Sequence, residues 1–484
     1  MKKILLSASL LMLSTAAFAV TDGQTYNPTD GFTCENVWVF DRVHTLDDYQ
    51  ASAICSTQSR TATIDDKNIY VIVNGLDGTG TDGGYGQAVI HVYDLLTGAF
   101  VKQVPLTLDG AAYEGQLAAN TIGFDSYGHL FVAPYNANSD GSGSLKIYFV
   151  DIETGALTLA GDMSFMGGDG RVDYVDVVGD LTGVESRCDL MATASAASAT
   201  AGVAYVYWWT LPQGGNAASW AAGFNTGLPY LAINSYYPET QTNFGNACST
   251  TIVRSAWDSE SGVQMFYSDG NNTLSTLYGT DGSMIDSFAS VGEGVVQPAA
   301  GTNGIHEMTI GDQNFIVYSE GQYDGSHSCQ AIVTTVDADF AFSSMKPLWT
   351  VPADGLGQTS DTGTRIHCIT SAALPTDANG NEARVVLSFK CYNGMAVYRV
   401  AEEGYDPNNL GGVEENVVAA ANITVNGDVI AVSETAETIE VYNVAGQKVA
   451  QVENTTEVAA PATGLYIVKA VVDGAPVVKK VIVK

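Results

Sequence analysis

A unit of four short strands recurs through most of this chain, and no other feature restricts the possible folds so tightly. Seven segments run into an acidic or turn tetrad: VWVFDR (37–42), AVIHVYDLLTG (88–98), LKIYFVDIETG (145–155), VAYVYWWTL (203–211), TLYGTDGSM (276–284), AIVTTVDAD (331–339) and MAVYRVAEE (395–403). Their spacings fall mostly from the mid-fifties to the low sixties, with one near seventy. A period of that size marks a repeat architecture, in which each unit covers its apolar faces by stacking on its neighbours.

Two more strands precede most of these segments. The nearer ones read NIYVIVNG, HLFVAPYN, CDLMATAS, VQMFYSDG, NFIVYSEG and RVVLSFKC. The farther ones, candidates for the inner position, read RTATID, TIGFDS, RVDYVDVV, TTIVRSAW, GIHEMTIG and RIHCITSA. A short outer strand such as FVKQVPL or PLWTV completes the set, giving four strands per unit. Six inner-plus-second pairs are present, while VWVFDR at the front has no partner before it. The simplest fold is therefore an all-β, six-bladed β-propeller over residues 20–400, whose N-terminal strand completes the last blade and removes a free sheet edge. A seven-bladed ring or an array of sandwiches is the alternative. No amphipathic helical pattern of useful length interrupts the strands.

The pieces Y-D-L-L-T-G, V-D-I-E-T-G and F-D-S-Y-G-H-L-F-V-A resemble blade turns of quinoprotein-type and NHL-type propellers. In such turns Asp accepts backbone N–H groups and Gly supplies the turn dihedral, so they speak to architecture and not to activity.

Residues 439–484 form a different block. Alternation in IEVYNV and LYIVKAVV, broken at Ala445-Gly446, Pro461 to Gly464 and Asp473-Gly474, gives short antiparallel strands with tight turns. Gly446 and Gly464 are expected to serve turns that need positive φ. The V-Y-N-x-x-G-x-x-V segment (Val441 to Val449), the G-L-Y-I-V-K strand (Gly464 to Lys469) and the closing basic-apolar strand (Val477 to Lys484) resemble the C-terminal sorting domain of the type IX (Por) secretion system. The resemblance implies a small Ig-like β-sandwich over 423–484, carrying Tyr442, Gly446, Gly464 and Tyr466 as its motif residues. It also implies the outer-membrane secretion machinery as partner, and an extracellular or cell-surface destination reached through the periplasm. Residues 401–422, with Pro, Gly-Gly and acidic residues but no alternation, read as a linker.

The N-terminus agrees with export. Met1-Lys2-Lys3, the apolar run after it and the triplet Ala17-Phe18-Ala19 fit a cleaved signal peptide of residues 1–19. That run is short for a membrane span, and no other segment is apolar enough, so no transmembrane segment is expected in the mature chain. Formal charge is −33, from 53 acidic and 20 basic residues. Such a balance excludes nucleic acid, since nothing clusters enough Lys and Arg to neutralise phosphates. Seven dispersed cysteines, without a C-x-x-C pair, offer neither a zinc ribbon nor a thioredoxin-type motif, and the odd count leaves at least one thiol free or intermolecular.

Catalytic signatures are missing: G-x-S-x-G, H-E-x-x-H, G-x-x-x-x-G-K-[ST] and the sialidase boxes all fail to occur, and no catalytic residue is assigned. No cofactor is expected. Calcium is the exception left open, because Asp377-Ala378-Asn379-Gly380-Asn381-Glu382 begins like a calcium loop, although Glu382 stands where glycine is needed. Two inner strands share the form Ile-His, at Ile305-His306 and Ile366-His367, and Asp173 falls at the same aligned position. With Arg365 they are candidates to meet near the propeller axis, where such groups bind a metal or polarise a ligand. Alternatively the repeat keeps these residues for packing. Among the aromatic residues Tyr205, Tyr207, Trp208, Trp209, Trp220, Tyr230, Tyr236 and Tyr237, alternation sends Tyr205, Tyr207 and Trp209 into a core, leaving Tyr236 and Tyr237 as candidate contacts. A binding module for a glycan, peptide or protein is thus expected before an enzyme. The alternative is an extracellular hydrolase or lyase acting on a polymer through the axial residues.

Overall fold

The computed structural model describes residues 20–45, 59–74, 86–115, 118–138, 143–165, 170–195, 203–234, 244, 248–270, 273–298, 304–320, 329–357, 367–391, 393–410, 423–427, 429–443, 448–460, 462, 464–472 and 475–483. They divide into two compact units, 1–374 with 381–405 and 375–380 with 406–484. Apart from a few 3-10 turns, every regular element among them is a strand.

In the first unit the strands form six sheets. The first joins Ser59–Ile64, Asn68–Asn74, Ala88–Asp94 and Phe100–Pro105 in chain order. The second is built on Thr121–Phe124, Leu130–Ala133, Ser144–Val150 and Ala156–Ser164, the third on Gly170–Gly179, Cys188–Ser195 and Val203–Leu211, and short extra strands extend both. The fourth holds Ser249–Ile252, Met265–Gly270, Thr273–Gly279 and Met284–Ser287, and the fifth Ile305–Ile310, Gln313–Ser319, Ala331–Val336 and Lys346–Val351. In the sixth, His367–Ala373, Ala383–Lys390 and Gly394–Glu402 are joined by Phe32–Asp41 from the far N-terminal end. The six inner strands read from the sequence lie at the edge of their sheets, except that Asn136–Asn138 flanks the third, and the N-terminal strand completes the last sheet.

Packing explains why the middle strands lack alternation. Phe315, Ile316, Val317 and Tyr318 are all essentially inaccessible, because a sheet between two others is covered on both faces. The buried residues gather in clusters that each span two successive sheets. Ile72 and Val132 belong to one, Phe131 and Leu190 to the next, Met191 and Phe266 to a third. Tyr267 with Ile316, and Val317 with Tyr398, continue the series. Val71 with Leu387 then ties the sixth sheet back to the first. The aromatic strand obeys the same logic: Tyr207 and Trp209 stack at 5.1 Å in one cluster while Trp208, facing the other way, packs in another.

The hairpin turns behave as their composition demands. Asp94 accepts the N–H groups of Leu96 and Thr97 at 3.1 and 2.8 Å, and Gly98 takes the positive φ of 67° that a side chain would resist. Among the described residues, Cys34, Cys188, Cys329 and Cys368 are free thiols. Burial pushes the Cys368 thiol up to about 12. Cys55 lies outside the described residues.

In the second unit, Ile423–Asn426, Val429–Asn443, Lys448–Ala459, Gly464–Val472 and Ala475–Val483 share one hydrogen-bonded sheet. Alternation along Val429–Asn443 slips by one residue: Ile430 and Val432 are buried, then Ile439 and Val441, with a register irregularity between Ala431 and Ala436. That irregularity lets one long strand serve the same aliphatic core with both halves. Tyr466 packs in this core and donates to the carbonyl of Ala462 at 3.0 Å, and Tyr442 donates to Glu440 at 2.9 Å. The turn role expected of Gly464 is corrected: it is a strand residue paired with Val483, without positive φ. Gly446 lies outside the described residues.

Candidate functional site

Five of the six inner strands pair within their own sheets along one edge only, and the third is also paired over its first residues by Asn136–Asn138, so the remaining edges carry backbone groups that must find partners elsewhere. Side chains from neighbouring inner strands supply them. The Thr61 hydroxyl donates to the Asn120 carbonyl at 2.8 Å and accepts the Ile122 N–H at 3.1 Å. The Val175 N–H meets Thr121 at 3.3 Å, and the Ile252 N–H meets the Asp176 carboxylate at 2.7 Å. Thr251 donates to the Ile305 carbonyl at 3.3 Å. Between the fifth and sixth sheets, the link is His306 Nε2 to Ser371 Oγ, at 2.8 Å. A series of polar side chains thus stitches one inner strand to the next.

Ionic groups stand on this series. Arg171 forks onto Asp173 at 2.9 and 2.6 Å and lies 4.9 Å above the Tyr135 ring. Farther along the same strand, Asp176 receives Arg254, whose Nη1 lies 3.1 Å from Oδ2. Arg254 is 39% exposed although three inner strands supply its neighbours. Glu307 accepts the N–H groups of Arg254 and Ser255 at 2.9 and 3.1 Å as well as the Ser255 hydroxyl. Burial raises the Glu307 carboxyl despite these donors. Ser371 also accepts Arg384 Nε at 3.0 Å.

His306 is the most perturbed imidazole of this group. Burial, followed by the Arg254 and Arg384 guanidiniums, lowers it from 6.5 to about 3. The ring is therefore neutral. Arg384 Nε can only donate to Ser371 Oγ, which keeps a second lone pair and a proton with which to accept from or donate to His306 Nε2.

Of the residues expected to meet near the axis, the two whose side chains are described have different described partners. His306 engages the sixth sheet through Ser371, and Asp173 engages Arg171 on its own strand; these described contacts do not join the two. The register irregularity between Val172 and Val175 shifts the alignment that equated Asp173 with His306. His367 opens the sixth sheet's inner strand, paired with Lys390, but its side chain lies outside what is described. Arg365, Tyr236 and Tyr237 also lie outside the described residues. Sequence reasoning missed Ser371, Arg384, Arg254 and Asp176. The recurrence of Thr or Asp on inner strands, at Thr61, Thr121, Asp176 and Thr251, was the available signal.

Three other polar clusters have structural explanations. Asp125, His129 and Asp180 bring ligand atoms within 4.8 Å of one another. Asp125 already accepts the N–H groups of Tyr127, His129 and Leu181, and Asp180 those of Thr182 and Glu185. In the suspected calcium loop, Asp377 accepts the N–H groups of Asn379 and Asp406 at 2.8 and 3.1 Å. Asp189 is the fullest case: it takes Trp208 Nε1 at 2.7 Å, Trp257 Nε1 at 2.8 Å and a fork from Arg187.

Residues 419–484 match the secretion system C-terminal sorting domain of the Por family. That tail marks the protein for type IX export, to the cell surface or the extracellular space, and implies contact with that machinery. No helix among the described residues is long and apolar enough to cross a membrane. No curated protein matches the chain. Among solved structures, a DUF4623 family protein from Bacteroides eggerthii is similar at 12% identity and TM-score 0.52, over 80% of this chain and 78% of that one. An α-L-arabinanase from Penicillium chrysogenum, complexed with arabinobiose, aligns at 10% identity and TM-score 0.40 over 80% of this chain and 98% of its own. The α-L-arabinofuranosidase of Fusarium graminearum gives 12% and 0.39, over 80% and 97%. The first of these speaks to the fold alone.

Proposed function

We propose that the protein is an exported, six-bladed β-propeller that binds a glycan, peptide or protein ligand at the inner ends of its sheets. In this reading residues 1–19 are removed, 20–400 form the propeller, 401–422 a linker, and 423–484 an Ig-like tail spent on export. His306 carries the argument for binding over hydrolysis. Its 2.8 Å contact with Ser371 has the form of a nucleophile and its base, which is what favours the second reading, an extracellular hydrolase or lyase. A working base must take up a proton, however, and two guanidiniums beside a buried imidazole make the imidazolium costly. The same surroundings suit a fixed set of donors for recognition. Arg365, His367, Asp173, Tyr236 and Tyr237 are proposed as further contacts.

The test is to incubate the exported chain with neutral and acidic polysaccharides and with peptides, following retention by affinity electrophoresis and bond cleavage by reducing-end or amine release. Retention without cleavage is the expected result. Cleavage by the native chain that disappears in His306→Ala would establish the hydrolase instead.

A further inference from the structure

We infer that Arg384, with Ser371 and His306, forms a receptor for a single carboxylate group on a small ligand. This rests on the binding reading above and names the chemistry of its site. Arg384 is a half-buried guanidinium whose one described hydrogen bond is Nε to Ser371 Oγ, at 3.0 Å. Its two terminal nitrogens, the prongs that fit a carboxylate, make no hydrogen bond among the described residues. Two other arginines at this series differ: Arg171 is forked onto Asp173, and Arg254 onto Asp176. The acidic residue closest in effect to Arg384 is Glu382, whose Oε2 is engaged by the Gly311 N–H at 3.0 Å. Burial lowers the Arg384 pKa, as expected of a cation short of a counter-charge.

A desolvated guanidinium with two open donors is best satisfied by a planar, two-oxygen anion. His306 Nε2 is already engaged by the Ser371 hydroxyl at 2.8 Å and is not offered to the ligand. The rest of the molecule limits how much charge can enter. At a formal −33, with Glu307 next to His306 and Asp176 on another inner strand, the chain repels polyanions and admits one negative group at this point. One carboxylate, from a sugar acid or from a peptide C-terminus, meets both conditions.

Isothermal titration of the full exported chain with glucuronate and glucose, and with an acetylated dipeptide and its amide, separates the sources. We expect the acid of at least one pair to bind and its neutral partner to bind about 10–100-fold more weakly, the range for a lost charged hydrogen-bond pair. Arg384→Gln should abolish that difference and Arg384→Lys restore part of it. Ser371→Ala, which removes only the hydroxyl positioning Nε, should weaken the acid without affecting the neutral ligand, and serves should Arg384→Gln unfold. Equal binding of acid and neutral partners would overturn the carboxylate assignment and leave the binding reading standing. Binding of neither acid, or an acid preference that survives in both Arg384→Gln and Ser371→Ala, would likewise overturn it, whereas cleavage of a polymer would overturn the binding reading itself.

Discussion

The first unit buries Asp41, Asp125, Asp173, Asp180, Asp189, Asp269, Glu307 and Lys390, whereas the buried side chains described in 423–483 are Val, Ile, Ala and one Tyr. Charge follows the same division: residues 419–484 carry seven acidic residues against five lysines, and nearly all of the net −33 lies before them. Burying a charge is unfavourable unless its partners are all in place. The first unit accepts that condition because six inner strands expose backbone edges that only polar side chains can satisfy. In the tail the described core is aliphatic apart from Tyr466. A polar interior of this kind is adapted to recognition, and an aliphatic one to being recognised and carried.

The largest effect that would sharpen this contrast is on export. Removing residues 419–484 should leave extracellular fractions without the protein by immunoblot while cell-associated protein remains; continued export would break the division of labour. Next comes Asp189→Ala, which strands Arg187 and the indole N–H groups of Trp208 and Trp257. Urea denaturation of the full chain should show the first unit destabilised by about 3–5 kcal/mol, with the tail transition unmoved.

Acid should then separate the units. His306 falls from 6.5 to about 3 on folding, and His91, through burial, to about 4. The unfolded chain therefore binds protons that the folded chain refuses, so stability rises with pH from about 3 to 6.5 and is level above. For His306 the loss on acidification is on the order of 5 kcal/mol. Residues 419–484 contain no histidine, so this slope should be confined to the first unit and flatten in His306→Gln; a matching slope in the tail transition would count against it. The smallest effect is Ile439→Val, expected to lower the tail transition by about 0.5–1.5 kcal/mol without changing ligand affinity.

Much of the fold was readable because it rests on local period. RTATID, GIHEMTIG and RIHCITSA occupy inner positions in the first, fifth and sixth sheets, and VWVFDR lies within the strand Phe32–Asp41 that pairs with Gly394–Glu402. The extra strands Ala221–Ala222 and Tyr230–Asn234 went unread because both attach to Val203–Leu211 without an apolar repeat of their own. So did the Asp22 carboxylate, which holds the hydroxyls of both Tyr26 and Tyr398, the latter from the opposite end of the unit.

The candidate site was readable in part. His306 was singled out for lying on an inner strand, but its partners were not, since Ser371 is 65 residues away and Arg384 farther still. Sequence by itself determined the strands, their period and the export tail, all written in neighbouring residues. Tertiary structure alone decided which polar groups meet. Register sets that, and one irregular residue turns a strand's side chains to the opposite face, as between Val172 and Val175, which share one cluster although three residues apart.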